Sequence, residues 1–322
     1  MISMIEFTML MKVAVLCCVG LMSSVVAATD NASPWLSDIS ILASDAMEGR
    51  ETGSKGAQLS REYLVKRYQE IGLTPLSTLS DFTHPFDARK DTDIISGINL
   101  VGFLAANVSN AGNHQSPRYI VVSAHYDHIG RSGRRIFNGA DDNASGVAAM
   151  LYMASRSEQQ SRQCHQVFLA SDAEEHGLLG ARAFVKADLL DKADIFVNLN
   201  LDMLSQPGGR REVLVSGNTS HPAFNQLISG IELASTMPMI ATDERRRVGR
   251  YPGKADRRKV SDHAAFAEQG IPFLFLGVGR HNYYHTPRDT LSRVNKPFYA
   301  ETVNVAWLYL QKLDALCGNR AD

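Results

Sequence analysis

Residues 119–127 read Tyr-Ile-Val-Val-Ser-Ala-His-Tyr-Asp, an apolar run that ends in side chains able to bind a metal ion. Consecutive β-branched residues without polar residues between them are typical of a strand buried on both faces of a sheet. The run therefore predicts a central strand over residues 119–123, with His125 just beyond its carboxyl end. An isolated His-x-Asp sequence also occurs where a strand end is merely capped, so the interpretation depends on the rest of the chain.

Similar apolar runs recur along the chain and alternate with helical patterns. Strand-like runs cover residues 94–104, 166–170, 195–201, 213–215 and 272–276, and helical patterns cover residues 34–72, 144–154, 177–187, 222–234 and a C-terminal stretch that contains Val303 and Leu313. This alternation predicts an α/β fold with a mixed, mostly parallel central sheet sandwiched between helices. Residues 73–93 contain several proline, serine and threonine residues and predict a loop or an edge connection.

The length and the charge of the chain restrict the classes of protein to be considered. The chain has 322 residues, of which 44% are hydrophobic, and its 33 basic residues nearly balance 34 acidic ones. This length is sufficient for one large α/β domain, so we predict a single domain over residues 29–322. A nucleic-acid-binding protein normally shows a basic excess, which is absent from this composition. A small-molecule or peptide substrate fits better.

The N-terminus has the features of an export signal. Met11 and Lys12 precede an apolar stretch over residues 13–26, which closes on Ala27 and Ala28 before polar residues follow. The stretch is shorter than the ~20 apolar residues that a membrane span needs. We therefore predict a cleaved signal peptide over residues 1–28, export to the periplasm or the exterior, and no stable membrane insertion after cleavage. An uncleaved anchor is the alternative.

Two cysteines, Cys164 and Cys317, remain outside the predicted signal peptide. Disulfides form and persist in exported proteins, so these residues are candidates for one bridge. The sequence does not show whether the two sulfur atoms meet, and two buried free thiols are the alternative.

Five potential metal ligands come directly after apolar runs or in the loops that follow them: His125, Asp141, Glu175, Asp202 and His285. Residues beyond the carboxyl ends of strands in an open α/β sheet form its binding crevice, so we predict that the five side chains converge. A further carboxylate, Glu174, lies beside the third of them. This pattern is typical of a two-metal hydrolase, because one acid can bind metal while its neighbour accepts a proton.

The acidic pair Asp141-Asp142 precedes Asn143 and an apolar helical pattern. Two adjacent acids need positive charge nearby, and a helix N-terminus supplies part of it, so Asp142 and Asn143 are plausible helix caps. We assign the position between two metal ions to Asp141. Four further histidines lie close to the motifs and compete with the assigned ligands: His128, His176, His263 and His281. Of these, His263 is the strongest rival of His285.

Taken together, the motifs resemble those of one enzyme family. They are His125-Tyr126-Asp127, Gly139-Ala140-Asp141-Asp142-Asn143-Ala144-Ser145-Gly146, Glu174-Glu175, Asp202, Ser261-Asp262-His263 and Tyr284-His285-Thr286-Pro287. The set is similar to that of the co-catalytic di-zinc aminopeptidases, which include bacterial secreted leucyl aminopeptidases and are related to the catalytic domain of glutamate carboxypeptidase. The resemblance covers nearly the whole chain after residue 28 and implies the phosphorylase/hydrolase-like fold of zinc exopeptidases.

The resemblance implies two Zn²⁺ ions as cofactors. One zinc would bind His125 and Asp202. The other would bind Glu175 and His285, and Asp141 would bridge the two ions. A cis peptide bond directly after Asp141 is also implied.

The resemblance further implies roles for three residues that do not bind zinc. Asp127 would orient His125, and Glu174 would act as the general base for a hydroxide that bridges the two zinc ions and attacks the peptide carbonyl. Tyr284 would donate a hydrogen bond to the oxyanion, and a packed aromatic residue is the alternative for this position.

The expected activity is hydrolysis of the N-terminal peptide bond of a peptide substrate. The alternatives are a zinc carboxypeptidase or a glutaminyl cyclase of the same fold, and a binding domain without catalytic activity. The complete set of five ligands argues against the last two. Residues 243–259 contain eight basic residues and predict either a solvated loop or a rim of the cleft that favours acidic substrates.

Overall fold

The structure, a computed structural model, describes residues 33–108, 118–207, 211–241 and 260–319. The signal peptide predicted over residues 1–28 and the basic segment over residues 243–259 lie outside these ranges and stay predictions. None of the described helices is long and apolar enough to span a membrane.

Nine strands of the described residues form one mixed sheet, and two short strands form a separate hairpin. The strands are β1 (Thr74–Pro75), β2 (Thr83–Lys90), β3 (Asp93–Leu104), β4 (Tyr119–His125), β5 (Gly130–Ser132), β6 (Arg135–Phe137), β7 (His165–Ser171), β8 (Ile195–Asp202), β9 (Val213–Ser216), β10 (Met239–Ala241) and β11 (Phe273–Gly277). The order in the sheet is β1, β3, β7, β4, β8, β11, β9, β10, and β2 pairs with β3. The central strands β7, β4, β8 and β11 are mutually parallel, whereas β3 and β9 join this group antiparallel.

Helices cover both faces of this sheet. They are α1 (Pro34–Leu42), α2 (Lys55–Ile71), α3 (Gly146–Glu158), α4 (Leu179–Lys186), α5 (Phe224–Ala234), α6 (His263–Ala267) and α7 (Lys296–Gly318). Ile120 and Val122 of β4 belong to the apolar cluster that contains α3 and α7, whereas Val121 belongs to the cluster that contains Phe184 of α4 and Phe266 of α6. Alternate side chains of a strand point to opposite faces, so β4 is covered on both sides. The predicted α/β fold is confirmed.

The N-terminal part differs from the continuous helical pattern predicted over residues 34–72. A loop with positive φ angles at Gly49 and Arg50 separates α1 from α2. Gly49 approaches the β5 strand so closely that a Cβ atom there would lie 2.3 Å from the carbonyl oxygen of Gly130. This close approach to a distant strand requires glycine in the loop between α1 and α2, and helical periodicity does not reveal it. Gly72, predicted as a stop, follows the last residue of α2 with a φ angle of 90°.

Residues 73–93, predicted as a loop or an edge connection, contain two strands. Both β1 and β2 pair antiparallel with β3, and β2 pairs with it along its whole length. Pro85 fits within β2 because proline, which has no N–H to donate, is tolerated on edge strands.

Cys164 and Cys317 form a disulfide, which the sequence alone did not decide. The Cα atoms of Cys164 and Cys317 are 6.3 Å apart, within the usual range for a bridge. Asp314 reinforces the same junction, because its carboxylate accepts the backbone N–H groups of Gln163 and Cys164 at 2.9 and 3.1 Å. The C-terminal end of α7 is therefore fixed to the beginning of β7.

Candidate metal centre

The carboxyl ends of β4, β7 and β8 bring the predicted ligands to one edge of the sheet. His125 is the last residue of β4 and lies opposite Ser171 of the parallel strand β7, just before Glu174 and Glu175. Asp202 is the last residue of β8, which lies parallel to β4 on its other side. Because the three strands run in the same direction, the side chains that follow them share one site.

One group of ligand-type side chains consists of His125, Glu174 and Asp202, whose candidate ligand atoms lie within 4.8 Å of one another. His125 Nε2 is 3.5 Å from Asp202 Oδ1 and 3.4 Å from Asp142 Oδ1. Imidazole nitrogen and carboxylate oxygen are ligands that zinc accepts. These residues form the first candidate metal position.

A second group consists of His128, Asp142 and Glu175. His285 lies against it, because its Nε2 is 3.1 Å from Asp142 Oδ2 and 3.2 Å from Glu175 Oε1. Asp142 thus presents one carboxylate oxygen to His125 and the other to His285. Such a shared carboxylate suits a pair of neighbouring metal ions, which in two-metal sites lie about 3.5–4 Å apart.

Asp142, rather than the predicted Asp141, lies between the two imidazoles. Asp141 Oδ1 accepts the backbone N–H of Ser205 at 2.6 Å, and Asp141 Oδ2 lies 2.9 Å from His281 Nε2. Asp141 belongs to neither candidate group among the described residues. The cis peptide bond also comes one residue later than predicted, between Asp142 and Asn143. The geometry therefore contradicts the bridging position of Asp141, and the carboxylate turned toward the imidazoles is that of the next residue.

Several buried atoms at this site have no hydrogen-bond partner among the described residues: His125 Nε2, His285 Nε2, Asp142 Oδ2 and Asp202 Oδ1. Buried polar atoms without partners are costly unless an ion or a water molecule satisfies them. The residues present therefore fit two zinc ions. One ion fits His125 and Asp202, and a second fits Glu175 and His285. Asp142 lies between the two positions.

The acids and imidazoles of the site change one another's protonation. Burial lowers the pKa of His125, but the surrounding carboxylates, Glu174 foremost, outweigh this effect and raise the pKa well above its usual range. Burial likewise lowers the pKa of His285, while the adjacent carboxylates of Asp142 and Glu175 raise it to about 9. The site thus favours positive charge. Zinc must displace the protons of both imidazoles, so its affinity is expected to fall as the pH falls.

Asp127 contacts both the first imidazole and the loop that carries the two glutamates. Its Oδ1 is 3.6 Å from His125 Nδ1, and its carbonyl oxygen is 3.2 Å from the same nitrogen. Its two carboxylate oxygens accept the backbone N–H groups of Glu174 and Glu175 at 3.1 and 3.3 Å. This position suits the predicted orienting role, because such contacts fix the direction in which a ligating imidazole points.

Tyr284 lies flat against His285. The two ring centroids are 3.8 Å apart with an interplanar angle of 17°, and the guanidinium of Arg280 lies 5.0 Å from the centre of the tyrosine ring. Burial, with the negative charges of Asp142 and Glu175, raises the pKa of Tyr284 above its usual range. The hydroxyl is therefore protonated at neutral pH and can donate a hydrogen bond. Tyr284 therefore packs against His285, and its hydrogen bond to an oxyanion stays a prediction.

The competing histidines have different surroundings. The ring of His263 packs between Phe273 and Phe275, with both centroid distances 4.9 Å, and takes no part in either group. His281 faces the carboxylate of Asp141. Of these four histidines, His128 alone enters a candidate group, a position that the sequence motifs do not predict.

Arg50 connects the loops that carry the site. Its buried guanidinium donates to the carbonyl oxygens of Leu42 at 2.6 Å, Tyr126 at 2.8 Å, Asn138 at 2.6 Å and Gly139 at 2.9 Å. Tyr126 belongs to the loop after β4, and Asn138 and Gly139 belong to the loop that leads to the shared carboxylate. One guanidinium thus satisfies carbonyls of three separate segments.

Asp289 holds the loop of the shared carboxylate from another direction. Its carboxylate oxygens accept the backbone N–H of Asp141 at 3.0 and 3.1 Å and that of Asp142 at 3.0 Å. Its own carbonyl oxygen accepts the N–H of Ala140 at 3.2 Å. The conformation of the loop is therefore fixed by contacts with Arg50 and Asp289 that involve no metal ion.

Replacing Arg50 with lysine is expected to destabilise the protein. Lysine keeps the positive charge but loses the planar fork of donors, and each buried carbonyl left unpaired costs about 1–3 kcal/mol. We expect the free energy of unfolding, measured by urea denaturation, to fall by at least ~2 kcal/mol. The matched control is Arg89→Lys, at an exposed position of β2, which should leave the stability unchanged. Equal stability of Arg50→Lys and the wild-type protein would contradict this role.

The sequence of this region matches one family of peptidases. Residues 106–310 match the model of peptidase family M28, which is more than half of the chain. The chain belongs to this family.

Individual relatives agree with this membership. Aminopeptidase YwaD from Bacillus subtilis is 28% identical over 207 residues, which are 62% of this chain and 40% of the relative. The LapA aminopeptidase of Legionella pneumophila superposes with a TM-score of 0.65 at 18% identity, over 87% of this chain and 70% of the other. The glutaminyl cyclase of Porphyromonas gingivalis superposes with a TM-score of 0.64 at 15% identity, over 88% of this chain and 97% of the other. At such identities the superpositions show the fold. The chain spans less than half the length of the curated relatives it matches.

Proposed function

We propose that this protein is a zinc-dependent exopeptidase that removes the N-terminal residue of peptides. The observation that carries the proposal is the position of Asp142, whose two oxygens face His125 and His285 while Glu174 lies beside the first imidazole. Membership of a peptidase family and an aminopeptidase among the relatives support it. Two Zn²⁺ ions are the proposed cofactors, and a peptide is the proposed substrate.

Zinc held by His125, Asp202, Glu175, His285 and Asp142 would supply Lewis-acid chemistry, which polarises a peptide carbonyl and lowers the pKa of bound water. Glu174 would accept the proton of the attacking water and deliver it to the nitrogen of the leaving amine. Burial raises the pKa of Glu174 well above its usual range, and the positive charge of bound zinc would favour the ionised carboxylate that accepts the proton. The hydroxyl of Tyr284 would donate a hydrogen bond to the carbonyl oxygen as negative charge develops there. Asp127 would keep His125 and the glutamate loop in fixed relative positions.

The experiment that tests this proposal compares peptides with free and acetylated N-termini, incubated with the zinc-loaded protein and analysed by mass spectrometry. We expect stepwise loss of residues from the free N-terminus only, abolished by a chelator and restored by zinc. Cleavage from the carboxyl end would instead identify a carboxypeptidase. No reaction despite two bound zinc ions would contradict the enzymatic proposal.

A glutaminyl cyclase is the second candidate, because one with this fold superposes over 97% of its length. The two complete groups of ligand-type side chains favour hydrolysis, since they fit two metal ions and place a base beside them. A peptide that begins with glutamine separates the two activities in the same assay. Loss of ammonia with retention of every residue would identify the cyclase, and release of free glutamine would identify the aminopeptidase.

We also propose that the protein is exported and that residues 1–28 are removed as a signal peptide. The bridge between Cys164 and Cys317 supports this proposal, because structural disulfides form and persist in oxidising compartments.

A further inference from the structure

His128 is buried beside the second candidate metal position, yet neither the predicted ligand set nor the proposed mechanism uses it. Its Nδ1 is 3.0 Å from Glu175 Oε1 and 3.8 Å from Asp142 Oδ2. Its Nε2 is buried and has no hydrogen-bond partner among the described residues. Nδ1 therefore faces the site, and Nε2 has no acceptor among the described residues.

The surroundings of the two nitrogens favour one tautomer of His128. With a hydrogen on Nδ1, the ring donates to Glu175 and leaves only an unpaired acceptor at Nε2. The opposite tautomer would bury an N–H group without an acceptor and would turn the Nδ1 lone pair toward the carboxylate oxygen. Buried N–H groups without partners are rarer in proteins than unpaired acceptors. Nδ1–H is therefore the group that faces Glu175.

Neighbouring residues hold the His128 ring in place. The backbone N–H of His128 donates to the carbonyl oxygen of Arg50 at 3.3 Å. Gly139 packs against the ring so closely that a Cβ atom there would lie 2.7 Å from two ring carbons. The ring of His285 lies edge-on to it, with centroids 5.7 Å apart. A donor fixed in this way can hold a metal ligand in one orientation.

We propose that His128 is a positioning residue for the second zinc ion. Its Nδ1–H holds the carboxylate of Glu175, whose Oε1 also lies 3.2 Å from His285 Nε2, in the place where the two residues bind one ion. The inference rests on the proposed function for the identity of the metal, but it concerns the affinity for one ion rather than peptide hydrolysis. Removing hydrogen-bond partners of metal ligands typically weakens metal affinity about 10–100-fold.

Three variants of the full chain separate the donor from the bulk of the ring. His128→Asn places an amide N–H₂ near the position of Nδ1, His128→Gln extends its amide toward the position of Nε2, and His128→Leu has no donor. Two zinc dissociation constants are measured for each by titration against a competing chelator, and the absorption spectrum of Co²⁺ at the second position gives an independent signal. We expect the glutamine and leucine variants to bind the second zinc about 10–100-fold more weakly. His128→Asn should bind it nearly as tightly as the wild type, and the first zinc should be unaffected in all three.

Equal affinity for the second zinc in all four proteins would overturn the inference, because the ring would then only fill space. Loss of the second zinc in His128→Asn to the same extent as in His285→Ala would also overturn it, because the imidazole itself would then bind the ion. A wild-type protein that binds no second zinc would contradict both this inference and the proposed function. The expected pattern of affinities without peptide hydrolysis would support the role of His128 and contradict the proposed function.

Discussion

Replacing Glu174 with glutamine is expected to lower kcat for peptide hydrolysis by about 10²–10⁴-fold while both zinc ions stay bound. Glutamine has nearly the shape of glutamate but cannot accept a proton at neutral pH. The Glu174 carboxylate lies within 4.8 Å of the candidate ligand atoms of His125 and Asp202. In the proposed mechanism the attacking water loses its proton at this place. Steady-state kinetics with a peptide substrate measure the change, and elemental analysis of the same sample measures the bound zinc.

The matched control is Glu301→Gln, the same chemical change at an exposed position of α7, which should leave kcat unchanged. Near-normal turnover of Glu174→Gln would remove this residue from the mechanism. Loss of zinc from Glu174→Gln would show that the carboxylate binds metal, which the first group of side chains also permits. A fall in kcat with unchanged zinc content is the result that a proton-transfer role predicts.

The centre of the fold could be predicted because its strands have an unambiguous pattern. The runs over residues 119–123, 166–170 and 195–201 are mostly apolar, and each lies within a central strand with both faces covered. The polar exceptions are Ser123, Gln166, Asn198 and Asn200, which are buried. A strand that is buried on both faces is rich in apolar residues along most of its length, so its pattern can be recognised from the strand's own residues. The positions of His125, Glu175 and Asp202 at one edge follow from these strands, because parallel strands bring their carboxyl ends together.

Other features of the site depend on contacts that a single sequence does not show. Asp141 and Asp142 are adjacent acids in the same motif, and their different roles depend on the direction in which each carboxylate points. The turn at Gly49 and the burial of Arg50 depend on segments far away in sequence, such as the carbonyl oxygen of Asn138. His128 was one of several histidines near the motifs, and only its distance from Glu175 distinguishes it.

Replacing Asp142 with asparagine is expected to remove at least one of the two zinc ions and to lower peptide hydrolysis with it. The two carboxylate oxygens of Asp142 lie 3.4 Å from His125 Nε2 and 3.1 Å from His285 Nε2, so the charged group faces both candidate metal positions. An amide offers one oxygen to a metal and turns an N–H₂ group toward the other ion. We expect affinity for zinc to fall by at least about 100-fold, beyond the effect of losing an indirect partner. Elemental analysis and chelator titration measure it.

Asp141→Asn makes the same chemical change one residue earlier and provides the matched comparison. Its amide oxygen can still accept the backbone N–H of Ser205, as Asp141 Oδ1 does at 2.6 Å, so both zinc ions should stay bound. Zinc that binds only the folded protein raises its melting temperature. Added zinc should therefore raise the melting temperature of Asp141→Asn more than that of Asp142→Asn. Only a carboxylate that lies between the two zinc ions contributes to the binding of both. The opposite order of melting temperatures would therefore assign this bridging position to Asp141 and contradict the arrangement proposed for Asp142.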